Sequence, residues 1–315
     1  MFDFSTRSQQ VIRRALVVSL PSAALAACDE MPTKSQPEAT QLEAVASASP
    51  KKVQIAFSRS SSTANPDIYV MSPTGKKLTR LTTDEGIDVQ PAWSPDRTKI
   101  AFARFPIAGG TEVYVMNADG TGETLVASGS EQPDWSPDGS RIAVTENGGI
   151  VIMNADGSNP TRLPDPRPGY VAHEPDWSPD GTRIAFLSTE SGGGTEEIWV
   201  MNADGSGAMP LTTAGQNQQP AWSPDGSRIA FQSERVGRLQ IYIMNTDGSA
   251  QTQLTSSAGF NSVPSWSPDG SQIVFTSTRD GNDGNRELYV MNPDGSAQSR
   301  LTTTAEDEGA PAWAP

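Results

Sequence analysis

Apolar positions between residues 53 and 315 fall into short runs, and no window of ten or more residues sustains a helical period. The runs are instead rich in β-branched and aromatic residues and are divided by Pro-Asp-Gly and Ala-Asp-Gly, which reads as short strands joined by tight turns. Four kinds of run recur in fixed order. The first ends at Trp93, Trp135, Trp177, Trp222 and Trp266, each followed by Ser-Pro-Asp, with a degenerate copy, PAWAP, at Trp313. The second is QIAF, KIAF, RIAV, RIAF, RIAF and QIVF, beginning at 54, 99, 141, 183, 228 and 272. The third carries Met71, Met116, Met153, Met201, Met244 and Met291, as in YVMNADG, and the fourth is short: TRLT, ETLV, TRLP, MPLT, TQLT and SRLT.

The tryptophans are spaced 42, 42, 45, 44 and 47 residues apart. Four strands in each of six units predict an all-β fold, a six-bladed β-propeller of four-stranded blades. The repeat opens at Val53 in a second strand and finishes in a first strand, so the C-terminal strand is expected to complete the N-terminal blade and close the ring.

The spacing also separates the two faces of such a ring. Trp to the following Ile is 7 residues in the five internal copies, and Met to the following Leu is 9 or 10 in all six. The other two connections vary: Ile to Met spans 11 to 18 residues and Leu to Trp 10 to 14. Antiparallel strands place the constant connections together on one face, read as scaffold, and the variable ones on the other, read as the binding surface. The Asp residues of the constant turns fit local turn hydrogen bonding, and the repeated Trp residues fit blade packing.

Residues 1–27 do not belong to this pattern. Arg13 and Arg14 precede the apolar run ALVVSLPSAALAA, too short to span a membrane as a mature helix, and it ends in Leu-Ala-Ala-Cys28. This resembles a bacterial lipobox, which implies cleavage before Cys28 and its lipidation. Residues 28–52 are polar and rich in Pro, Ser and Ala, and are expected to be a disordered tether. Cys28 is the only cysteine, so the chain can form no internal disulfide. The net charge of -14 argues against nucleic acid as a partner.

PAWSPDGSRIAF followed by IYVMNADG and LT resembles the repeat of the TolB-type propeller family, also called PD40, over residues 53–315. TolB itself carries an α/β domain before its propeller; here the lipidated tether stands in that place. Some lyases and peptidases carry similar propellers, the peptidases with their chemistry on a separate hydrolase domain.

Catalytic residue types are sparse. His173 is the single histidine, no G-x-S-x-G elbow is present, and no cofactor or metal site is expected. The candidate binding residues are those expected at the channel mouth, Gln90, Gln132, Glu174 and Gln219, with His173, Tyr170 and Phe260 around them and Arg235, Arg238 and Arg286 in the variable loops. The expected function is a lipid-anchored, monomeric, non-catalytic scaffold that binds a protein or peptide of the bacterial cell envelope, held to the membrane by its anchor alone and facing the periplasm or exterior. The alternative is a glycan-binding or glycan-processing propeller using His173 and Glu174.

Overall fold

The computed structural model describes residues 53–60, 65–280 and 285–315. The expected signal peptide, the tether and Cys28 lie outside the described residues. Six antiparallel four-stranded sheets form the described structure. Blades are numbered I to VI in chain order. In blade I, Ile55–Ser60, Asp67–Met71 and Thr79–Arg80 are joined by Asp307–Trp313 from the C-terminus, with Ile55 opposite Trp313 and Ala56 opposite Ala312. The expected closure is therefore observed.

The first strand of every blade is innermost. These strands are Ile87–Trp93, Ser130–Trp135, Tyr170–Trp177, Asn217–Trp222 and Asn261–Trp266 in blades II to VI. The second strands are buried in continuous runs, because neighbouring blades cover both sheet faces. Phe57, Phe102, Phe186, Phe231 and Phe275 are wholly buried. Each repeated Trp packs between blades: Trp177 lies with Ile184 and Phe186 of its own blade and Ile150 and Leu163 of blade III. Burying one such aromatic contributes about 2–3 kcal/mol, so six equivalent interfaces dominate stability.

The constant turns are scaffold in their geometry. In the turn after Trp135, Asp138 Oδ1 accepts from Ser136 Oγ at 2.6 Å and from Ser140 N at 3.0 Å, and these bonds hold its pKa down to about 2. In the Asn-Ala-Asp-Gly turn of blade III, Gly157 has φ +84°, and a Cβ there would stand 2.3 Å from the Val126 carbonyl oxygen of blade II. Glycine supplies both the left-handed backbone and the close interblade approach. One strand reading shifts. Leu125 is 45% exposed and pairs with Tyr114 as Arg80 pairs with Tyr69; Val126 takes the inward position. Met to the inward residue is thus 10 positions in every blade.

Candidate functional site: the central channel

The innermost strands share one irregularity. Each contains a bulge at the residue before its proline, where Gln90, Gln132, Glu174, Gln219, Val263 and Ala310 have φ between +47° and +55°. These residues therefore sit within the first strands rather than at a mouth before them. Pro follows at each because the channel-side edge needs no ladder donor there. A bulge leaves backbone N–H groups without a ladder partner.

The side chains of the bulge residues supply those partners. Gln132 N donates to Gln90 Oε1 at 3.3 Å, Glu174 N to Gln132 Oε1 at 3.1 Å, and Gln219 N to Glu174 Oε2 at 2.7 Å. At Val263 the donor goes instead to Gln232 Oε1 at 3.0 Å. Four residues read as recognition groups are thus links of a polar arc that ties blades II to V together along the channel, and Gln232 carries it on to blade VI. Glu174 is pushed up to about 7 by burial, against the opposing hydrogen bonds from Gln219.

On the constant-turn side of this arc the channel holds a cavity of ≈ 390 Å³. Its wall is built from the six Trp residues, the prolines beside them and the prolines of the Ser-Pro turns, ending with Pro315. The residue before each Trp faces it: Ala92, Asp134, Asp176, Ala221, Ser265 and Ala312. Polarity is therefore uneven. Blades III and IV contribute Asp134, Glu174 and Asp176, the only ionisable side chains among the described residues of the wall, and the opposite side, blades VI and I, presents Val263, Ser265, Ala310 and Ala312. Asp134 Oδ2 accepts from Trp177 N and Asp176 Oδ2 from Trp222 N, both at 2.7 Å. Ser265 Oγ does the same for Trp313 N at 3.2 Å. Burial pushes Asp134 up to about 7, and burial beside the Asp134 charge holds Asp176 well above the carboxylate range. Sequence reasoning passed over these two aspartates. Their signal was the change from PAW to PDW in two consecutive repeats.

The remaining candidates do not converge on this cavity. His173 lies one residue before the bulge, half-buried, and burial lowers its pKa. Tyr170 donates to Glu190 at 3.1 Å, under the Arg167 guanidinium at 5.2 Å. Phe260 is 53% exposed at the variable end. The arginines all bond within the chain, Arg238 from an exposed position. Arg235 donates to Asn217 at 2.8 Å and Gln251 at 2.7 Å and stacks on Tyr242 at 4.5 Å; Arg238 binds the Ala258 carbonyl; Arg286 pairs with Asp307. Among the described residues no cluster of His, Cys, Asp and Glu has the arrangement of a metal site, and no helix is long and apolar enough to cross a membrane.

The profile of the TolB beta propeller domain matches residues 29–149 and 149–315. TolB from Acinetobacter baumannii superposes with TM-score 0.71 at 26% identity, covering 83% of this chain; the match spans 66% of that protein's length. A putative TolB from Agrobacterium tumefaciens gives TM-score 0.66 at 23% identity over 84% of this chain and 99% of its own. An oligogalacturonate lyase from Vibrio parahaemolyticus shares the fold at TM-score 0.54 and 15% identity, over 80% of this chain and 74% of its own. No curated protein matches the chain.

Proposed function

The chain belongs to the TolB β-propeller family, and on that premise we propose that it is a non-catalytic protein-binding scaffold of the cell envelope. The observation that carries this reading is the ≈ 390 Å³ cavity, open on the constant-turn face and rimmed by aromatic and proline side chains. Such a wall suits an extended segment of a protein partner: rigid rings supply contact area at little cost in conformational entropy, and the one-sided aspartates fix orientation. The binding surface is then the channel and not the variable loops, where Arg235 and Arg286 are engaged by Asn217 and Asp307 of their own chain. The Leu-Ala-Ala-Cys28 motif supports export, lipidation at Cys28 and a tether over residues 28–52. An acidic oligosaccharide fits less well, because every ionisable group on the cavity wall is a carboxyl.

Two measurements test this. Ala92→Trp fills the cavity from blade II, whereas Leu78→Trp changes a 46% exposed outer edge. Capture of a partner from envelope extract is expected to be lost in A92W and kept in L78W at equal melting temperature; capture retained in A92W refutes the channel. Cys28→Ser is expected to move the protein from the membrane to the soluble fraction.

A further inference from the structure

At four of the six blade boundaries the blades meet at a related polar joint. It sets the first residue of a third strand against a buried residue at the start of the next blade's inner strand, with a bridging threonine in joints IV/V and V/VI. At joint IV/V, Asn217 Nδ2 donates to Glu197 Oε2 at 2.8 Å, and Thr212 Oγ1 donates to the same oxygen. At joint V/VI, Asn261 Nδ2 donates to Gln240 Oε1 at 2.9 Å, and Thr255 Oγ1 donates to the same oxygen at 2.8 Å. In both, an amide hydrogen crosses from one blade to the next. Joint I/II sets Asp67 against Asp88, and two arginines neutralise them: Arg80 lies 2.6 Å from Asp67, and Arg104 reaches both Asp88 oxygens at 2.6 and 2.8 Å.

The closing joint, VI/I, sets Glu287 against Glu308, and both are wholly buried. Arg300 reaches Glu287 Oε1 at 2.5 Å, and Thr304 N donates to that oxygen at 2.9 Å. Arg59 is the counterpart of Arg104, but it pairs with Glu306 and stays 3.7 Å from Glu308 Oε1. The Oε2 atoms of Glu287 and Glu308 both lack a hydrogen-bond partner. The other charged groups close by are already paired, Arg286 with Asp307, and Asp280 with the Tyr289 hydroxyl. Among the described residues the two buried carboxyls, Glu287 and Glu308, thus meet Arg300 at close range and otherwise only Arg59, which is shared with the partly exposed Glu306, so part of the pair's negative charge is left uncompensated in a dry joint. One added proton balances that charge and supplies the donor that Asn217 and Asn261 provide elsewhere.

We propose that Glu287 and Glu308 share one proton, and that this proton is a pH-dependent clasp on ring closure, released on alkalinisation so that Asp307–Trp313 loosens from blade VI. This is independent of what the channel binds. The electrostatics agree: burial, with the Glu287 carboxyl alongside, pushes Glu308 up to about 7 from an ordinary 4.5. A folded-state value raised in this way gives stability that is complete below 4.5 and is lost as pH rises through 7.

The test is hydrogen exchange of the full chain at pH 6 and 8.5, corrected for intrinsic rates, comparing residues 307–313 with the equivalent strand 87–93. For a carboxyl shifted from 4.5 to about 7, linkage predicts that opening of 307–313 rises roughly tenfold over that range, with 87–93 unchanged. Glu308→Gln replaces the shared proton with an amide and is expected to abolish the rise. Glu287→Gln serves the same purpose should E308Q fold poorly, and the infrared absorption of protonated carboxyls at pH 6 should lose the intensity of one carboxyl in either variant, with that of Asp134, Glu174 and Asp176 remaining. Exchange at 307–313 that tracks 87–93 in the parent, or an undiminished rise in a folded variant, overturns the proposal.

Discussion

Asp134→Asn separates the two things its carboxyl does in the channel wall. It caps the Trp177 amide at 2.7 Å, and it carries a charge that burial disfavours. Asparagine keeps an acceptor and removes the charge. The folded-state pKa is raised from 3.8 to about 7, so the stability tied to this group is complete below pH 3.8 and is lost as pH rises through 7. At pH 8 the full linkage would be about 4 kcal/mol. The carboxyl borders an open cavity, so solvent screening reduces this to roughly 2 kcal/mol. D134N should therefore melt about 4–8 °C above the parent at pH 8 and close to it at pH 4. Asp134→Ala should lie below D134N at both, by about 1 kcal/mol for the lost cap. Scanning calorimetry of the three proteins at the two pH values is the assay. A D134N protein that melts lower than the parent at pH 8 would show that the charge is compensated in the folded protein and would refute this account. Stabilisation accompanied by weaker partner capture would mark Asp134 as a residue kept for binding at a cost in stability.

Removing residues 310–315 takes Trp313 and the buried Ala314 from the closing blade; aggregation, or a melting temperature lower by more than about 10 °C, is expected in thermal scans. Gly157→Ala and Gly129→Ala both place alanine at positive φ, at a cost of about 1–2 kcal/mol, but only at Gly157 would the Cβ strike a neighbouring carbonyl. G157A should therefore melt clearly below G129A, and equal melting would deny the interblade contact. Arg235→Ala should lower stability by about 1–3 kcal/mol, since it leaves the buried Asn217 without its guanidinium and uncovers Tyr242; Arg238→Ala, exposed in its loop, should be nearly neutral in the same denaturation assay.

The blades were legible in the chain because their determinants are local. Trp to Ile at 7 residues, with Ser-Pro-Asp between, specifies a turn whose hydrogen bonds close within five positions. Ring closure was legible too, from the phase at which the pattern starts and stops. Leu125 misled because a hydrophobic residue fills a solvent-facing slot that holds Arg80 and Arg300 in other blades. The roles of Gln90, Gln132 and Glu174 needed the tertiary structure. Their side chains satisfy amides 42 to 45 residues away, freed by bulges that exist only once the inner strands pair. The same holds for Asp134 and Asp176, for the cavity's one-sided wall, and for Glu287 meeting Glu308 where the ring closes. The repeat determines what each blade is, whereas charge and cavity arise between blades, where side chains from different copies come within hydrogen-bond distance and lose their water together.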